Sequence, residues 1–250
     1  MEGHIVSSLL QKSREISHSQ FPTSKKLYAT HHILHTIAFP ALALLVSGGH
    51  TELVFVKGFG KYKIIGETLD DAAGEAFDKV ARMLGLGYPG GPAIAREAAK
   101  MKNGGLKLKT KLPRPMLNSD NYDFSFSGLK TAVLYLIREI KDAKKIKKLR
   151  PAIAKEFQDA AVDVLVAKTI RAAKEYNVKT ILLGGGVAAN VNLQENLEAV
   201  IKKDLPNSKF YIPDSHVTGD NALMIALTAY LSGKKKPQNK VGVEANLRLS

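Results

Sequence analysis

Between Phe39 and Gly58 the chain reads FPALALLVSGGHTELVFVKG, two apolar stretches joined by Ser47-Gly48-Gly49-His50. Both stretches are too apolar to be surface edges, so the segment predicts two buried strands meeting at a two-glycine turn. A third buried strand, Lys179 to Leu183, runs into Gly184-Gly185-Gly186 and then a helix starting near Asn190. Phe210 to Pro213 reads as another strand. Long helical patterns lie between these strands. Residues 70–86 place Ala73, Phe77, Val80, Ala81 and Leu84 on one face, and a second helix begins at Ala93 after the break from Gly85 to Pro92. Ser127 to Lys141 and Pro151 to Tyr176 follow. In the latter, Ile153, Phe157, Ala161, Val164 and Leu165 form a buried stripe, with Pro151 suited to the first turn. Asn221 to Leu231 is an apolar helix ended by Gly233. Residues 5–36 read as a short amphipathic helix and a polar connection rich in Ser and His. Residues 104–127 read as a basic loop broken by Pro113 and Pro115. Strands alternating with long helices predict an α/β fold.

At 45% hydrophobic and 24% charged, the 250 residues have the composition of a globular protein and suit neither disorder nor a membrane span. There is no Cys, so disulfides and thiolate metal sites are excluded, and a metal would need His, Asp, Glu or Tyr. No signal-peptide pattern opens the chain, and the expected compartment is the cytoplasm. Lys and Arg number 37 against 23 Asp and Glu, a formal charge of +14. The excess is clustered at Lys107–Arg114, at Lys141–Arg150 and at Lys234–Lys240. Each cluster alone reads as a solvated face or tail; together they point to a polyanionic partner.

Several short elements could carry chemistry. The turn at Ser47–Thr51 can bring backbone N–H groups close to a phosphate, with the Ser and Thr hydroxyls as further donors; a plain hairpin turn would look similar. Gly184–Gly186 has the strand-turn-helix layout that holds nucleotides, although tight helix-on-sheet packing also accounts for it. Tyr88-Pro89-Gly90-Gly91-Pro92 is a second backbone-exposing turn, one helix after Glu75, Asp78 and Lys79. Glu75 and Lys79 read as a surface ion pair. Asp220 stands where an N-cap would suffice to explain it. His31 and His35 have an i, i+4 metal spacing, but the segment reads as linker.

Taken in order, Met1–His4, Leu45–Thr51, Asp71–Lys79, Gly87–Pro92, Phe124–Lys130, Gly184–Asn190 and Asp220–Ile225 resemble the TsaD/Kae/Gcp family of tRNA threonylcarbamoyladenosine synthesis. The resemblance covers most of residues 1–232. It implies an actin-like (sugar kinase/Hsp70, ASKHA) fold and transfer of a threonylcarbamoyl group from threonylcarbamoyl-AMP to N6 of adenine 37 in tRNAs reading ANN codons. It also implies one divalent metal, iron or alternatively zinc, with His4 and Asp220 as ligands. Leu45, Val46, Ser47, Gly48 and Gly49 would meet the phosphate and the metal-side substrate groups, Asp78 and Gly91 the ribose, and Asn190 the adenine or ribose. The implied partners are tRNA, a paralogous TsaB-like subunit and a TsaE-like ATPase, with no membrane. No catalytic side chain is singled out, and no Ser-His-Asp or Cys-His arrangement is found.

The sequence also departs from the family pattern. The first histidine of His-x-Glu-Gly-His would stand two residues before Glu2, so the chain reads as starting inside a longer protein. On that reading residues 1–36 are the remnant of an N-terminal lobe, with an inserted loop. Residues 37–233 form the C-terminal actin-like lobe, with a helical insertion at about 70–150, and residues 234–250 form a basic tail. Two other functions fit the same fold, a non-catalytic paralogue acting as scaffold and a small-molecule kinase or ATPase. Retention of His4 and Asp220 speaks against both.

Overall fold

A computed structural model describes residues 4–5, 37–103, 106, 108, 110–213, 218–219 and 222–232. Five strands form one mixed sheet: β1 (Ala41–Val46), β2 (Thr51–Gly58), β3 (Lys61–Glu67), β4 (Thr180–Gly184) and β5 (Lys209–Tyr211). Their order is β3-β2-β1-β4-β5. β2 runs antiparallel to β1 and β3, whereas β1, β4 and β5 are mutually parallel. The helices are α1 (Ala73–Met83), α2 (Gly90–Ala99), α3 (Ser127–Ile140), α4 (Ala143–Glu175), α5 (Val191–Asp204) and α6 (Ala222–Ser232), with 3-10 turns at Lys100–Asn103 and Gly186–Ala189.

β1 is the middle strand and is covered on both faces, which explains its unbroken apolar run. Leu42, Leu44 and Val46 point into the large core shared with Phe77, Ile94, Phe157 and Leu165. Ala41, Ala43 and Leu45 point the other way, into a second core with Val54, Val56, Leu182 and Ile5. No helix among the described residues is long and apolar enough to cross a membrane.

Three elements depart most from the sequence reading. β3 was not expected, because its residues alternate between exposed and half-buried and carry Lys61, Lys63 and Glu67. α2 starts at Gly90 rather than Ala93: the Gly90 N–H donates to Asp78 Oδ1 at 2.7 Å, and Pro92 fits the first turn. α4 starts at Ala143, so Pro151 lies inside it rather than at its head. Asp142 caps that helix, accepting from the N–H of Lys144 at 2.8 Å and of Lys145 at 3.3 Å. Of residues 1–36 only His4 and Ile5 are described, and both are helical. His31, His35, Asp220 and the tail from Lys234 lie outside the described residues.

Two neighbouring carboxylates tie α1 to α3. Asp70 accepts from Ser125 Oγ at 2.6 Å and from the N–H groups of Phe126 and Ser127 at 2.8 and 3.2 Å, placing a negative charge at the N-terminus of α3. Asp71 pairs with Lys79 at 2.8 Å and Lys130 at 2.6 Å, and Lys79 also meets Glu75 at 2.7 Å. Burial pushes the Asp71 carboxyl up, but its bonds to Lys130 and Lys79 outweigh this and hold it below the ordinary carboxylate value. The stretch Asp71–Lys79 and the stretch Phe124–Lys130 are therefore physically joined.

Candidate functional site

The candidate site lies where β1 and β4 end side by side. After β1 the chain turns through Ser47–His50. Ser47 Oγ accepts from the N–H of Gly49 at 3.2 Å and of His50 at 3.0 Å, and the Ser47 N–H donates to His50 O at 2.8 Å. The Thr51 hydroxyl is fully buried and accepts from the Ala73 N–H at 2.9 Å. It anchors the start of α1 and does not add the ligand donor expected from the sequence.

Glycines let two segments press on this turn and the end of β1. The Gly74 N–H donates to Ser47 O at 3.1 Å, and a Cβ at Gly74 would lie 2.6 Å from that oxygen. In the triple glycine each residue has a different neighbour. A Cβ at Gly184 would lie 2.9 Å from Leu45 Cδ2 and 3.0 Å from His4 O, whereas one at Gly185 would lie 2.3 Å from Val46 O. Gly186 faces a cavity. The triple glycine thus meets the His4 backbone at Gly184 and the cavity at Gly186.

That cavity has a volume of about 720 Å³, within the range of small-molecule sites. Gly48, Asp78, Gly91 and Asn190 line it, four residues carried by the β1–β2 turn, α1, α2 and the head of α5. The N-termini of α2 and α5 both open onto it, so their partial positive charges favour an anionic or electron-rich ligand. Asp78 spends Oδ1 on the Gly90 N–H. A Cβ at Gly90 would lie 2.5 Å from Asp78 Cα, so only glycine lets α2 approach α1 this closely. Asn190 is the N-cap of α5: its Oδ1 accepts from the Leu193 N–H at 3.1 Å, and its Nδ2 donates to Gln158 Oε1 at 3.0 Å.

The other expected residues are placed differently. Leu45 and Val46 are buried in the cores beneath the turn, so their side chains do not line the cavity. Ser47 and Gly49 sit beside it in the same turn. Sequence reasoning missed Arg96, Lys155, Gln158 and Glu195, which also line it, and named Tyr88 only as part of the turn Tyr88–Pro92. Tyr88 is 85% exposed at the rim, and Gln158 is only 5% exposed. The signal for Gln158 was present: it is a polar residue next to Phe157 in an otherwise apolar stripe.

A family model described as TsaD, tRNA N6-adenosine threonylcarbamoyltransferase, matches residues 17–227. The chain belongs to the TsaD family. A tRNA N6-adenosine threonylcarbamoyltransferase of Ralstonia pickettii is 48% identical over 239 residues, 95% of this chain and 61% of the relative. That of Thermosipho africanus is 48% identical across 84% of this chain and 62% of the relative, and that of Geobacillus kaustophilus 51% across 79% and 56%. The chain spans about three fifths of the length of these TsaD relatives. Among solved structures, T. kodakarensis HypF covers 65% of this chain and 20% of its own at 20% identity, with a TM-score of 0.45, too distant to bear on the site.

The resemblance also implies a metal held by His4 and Asp220. The His4 backbone stands against Gly184 at the end of β4, and Gly186, two residues further on, lines the cavity. Asp220, its expected co-ligand, lies outside the described residues. No three His, Asp or Glu side chains come together among the described residues. Of the expected ligand pair, His4 alone is among the described residues.

Proposed function

We propose that this chain supplies the nucleotide-binding part of a threonylcarbamoyl transferase acting on N6 of adenine 37 in tRNAs that read ANN codons. Convergence of Gly48, Asp78, Gly91 and Asn190 on one cavity is the observation that carries this reading. In the reaction, the lone pair of N6 attacks the carbamoyl carbon of threonylcarbamoyl-AMP. The bond from that carbon to the phosphate oxygen breaks, AMP leaves with the electron pair, and N6 loses a proton.

The chain's own residues account for binding and orientation. Asp78, its Oδ1 already held by Gly90, turns its second oxygen to the ribose, with Gly91 alongside. The turn at Gly48 and Gly49 receives the phosphate, and the N-termini of α2 and α5 stabilise the charge on departing AMP. His4 and Asp220 would hold a divalent metal, iron or zinc, which would polarise the carbamoyl carbonyl. The order β3-β2-β1-β4-β5, with β2 alone reversed against the parallel set, supports an actin-like lobe. A TsaB-like subunit and a TsaE-like ATPase complete the proposed assembly in the cytoplasm.

The first turns of α4 suit the RNA. At 100° per residue, Lys144, Lys148 and Lys155 fall within an arc of about 40°, with Lys147 beside them. This row runs about 16 Å back from the cavity, where Lys155 stands on the wall. All four lysines are exposed. Arg150 leaves the row and turns toward Gly85, with Nη2 3.7 Å from where a Cβ of Gly85 would lie.

Incubating the protein with threonylcarbamoyl-AMP, tRNA, ATP and the TsaB-like and TsaE-like subunits, and reading threonylcarbamoyladenosine in the digested RNA, tests the proposal. Combined Lys144→Glu, Lys147→Glu and Lys148→Glu should raise KM for tRNA at least ~10-fold and flatten its salt dependence, while leaving AMP affinity unchanged. No modified nucleoside with the wild type would overturn the reaction. An unchanged KM in the triple variant would overturn the role of this face.

A further inference from the structure

Among the described residues, the cavity lining holds one buried polar side chain that neither the resemblance nor the proposed reaction uses. Gln158 is on α4, 5% exposed, and reaches the cavity wall beside Asn190. Its orientation follows from a chain of hydrogen bonds that begins at a group with no ambiguity. The backbone N–H of Leu193 can only donate, so the Asn190 atom facing it at 3.1 Å must be Oδ1. Asn190 then turns Nδ2, a donor, to Gln158. The Gln158 atom at 3.0 Å from it must be the acceptor Oε1. The remaining end of Gln158 is therefore its Nε2 group, with two N–H donors. That group has no hydrogen-bond partner among the described residues, and it is not sealed from solvent.

We infer that Gln158 is a specificity-determining residue whose Nε2 donates to a ring-nitrogen acceptor of the purine bound in this cavity. The inference rests on the nucleotide reading of the cavity given above. A buried amide with a spare donor favours a ligand that brings an acceptor, because a ligand without one leaves the N–H unsatisfied. Adenine offers such acceptors at N1, N3 and N7. The Leu193–Asn190–Gln158 relay fixes which end of the amide meets the ligand, so selectivity originates in the N-cap of α5.

The competing role is purely structural, with Gln158 serving only to hold Asn190. Two variants separate the roles. Gln158→Glu, studied at both pH 7 and pH 9, keeps an acceptor for Asn190 Nδ2 and, in its ionised form, removes the donors. Gln158→Met removes both. The probes are AMP and its 1-deaza, 3-deaza and 7-deaza analogues, titrated calorimetrically into the protein. Wild type should bind one analogue on the order of ten-fold more weakly than AMP, and that penalty should vanish in both variants. Repulsion between the new carboxylate and the phosphate is common to all four probes and cancels in the ratio. Equal binding of AMP and all three analogues by the wild type would overturn the inference. So would a deaza penalty that survives in Gln158→Glu, the outcome of a purely structural role. Failure of the wild type to bind AMP would instead overturn the nucleotide reading of the cavity, and this inference with it.

Discussion

Gly185→Ala is expected to cost the fold roughly 4 kcal/mol or more, a large part of a typical domain's stability. Two independent faults add at this residue. Its φ is +88°, a left-handed backbone that L side chains rarely adopt, worth about 1–3 kcal/mol. The new Cβ would also lie 2.3 Å from Val46 O and 2.7 Å from Val46 C. Val46 ends the central strand, paired with β2 on one side and lying beside β4 on the other, so it has little room to yield. Gly186→Ala is the matched control, since a Cβ there meets nothing within 4 Å. Urea unfolding should show Gly186→Ala within about 1 kcal/mol of wild type, with Gly185→Ala unfolded or strongly shifted. A Gly185→Ala protein with the wild-type midpoint would contradict the packing described here.

Wild-type stability is expected to rise by about 2 kcal/mol relative to Lys168→Met between pH 7 and pH 9.5. Lys168 is 1% exposed in the last third of α4, and its ammonium donates to Ser119 Oγ at 2.8 Å and Asn121 O at 3.0 Å. Burial, and then the nearby Arg171 guanidinium, bring its pKa down to about 8, with Asp123 acting in the opposite direction. The folded state therefore releases this proton before the unfolded chain does. The penalty for the buried charge is fully present below pH 8 and is relieved as pH rises toward the ordinary lysine value of 10.5. Taking the difference between wild type and Lys168→Met at each pH removes the titration of other groups. A difference that stays flat from pH 7 to 9.5 would contradict the burial of a charged amine there.

How much of this was legible in the sequence depends on the range of the interaction. β1, β2 and the triple glycine could be read locally, because strands buried on both faces leave unbroken apolar runs. β3 could not, since its partners hide only part of an otherwise charged strand. The start of α4 was misread because Pro151 imitates a first-turn proline, while the actual cap, Asp142, lies nine positions earlier behind a run of lysines that are good helix formers. Asp71 and Lys130 are 59 positions apart, and no local pattern announces their pairing. The resemblance supplied Gly48, Asp78, Gly91 and Asn190 as separate residues, and the fold gathers them around one cavity. Gln158 was overlooked because its partner, Asn190, lies on a different helix and 32 positions away.

The central claim is that this cavity holds an adenine nucleotide, and Gly91→Val tests it most directly. Gly91 lines the cavity, and a Cβ there meets nothing within 4 Å, so the valine has room in the fold but occupies ligand space. The measurement is calorimetric titration of AMP into wild type and variant, with the melting temperature of each recorded alongside. The account expects one AMP site in the wild type, loss of binding in Gly91→Val, and melting temperatures within a few degrees of each other. AMP binding with equal affinity to both proteins, or no AMP binding by the wild type, would contradict it.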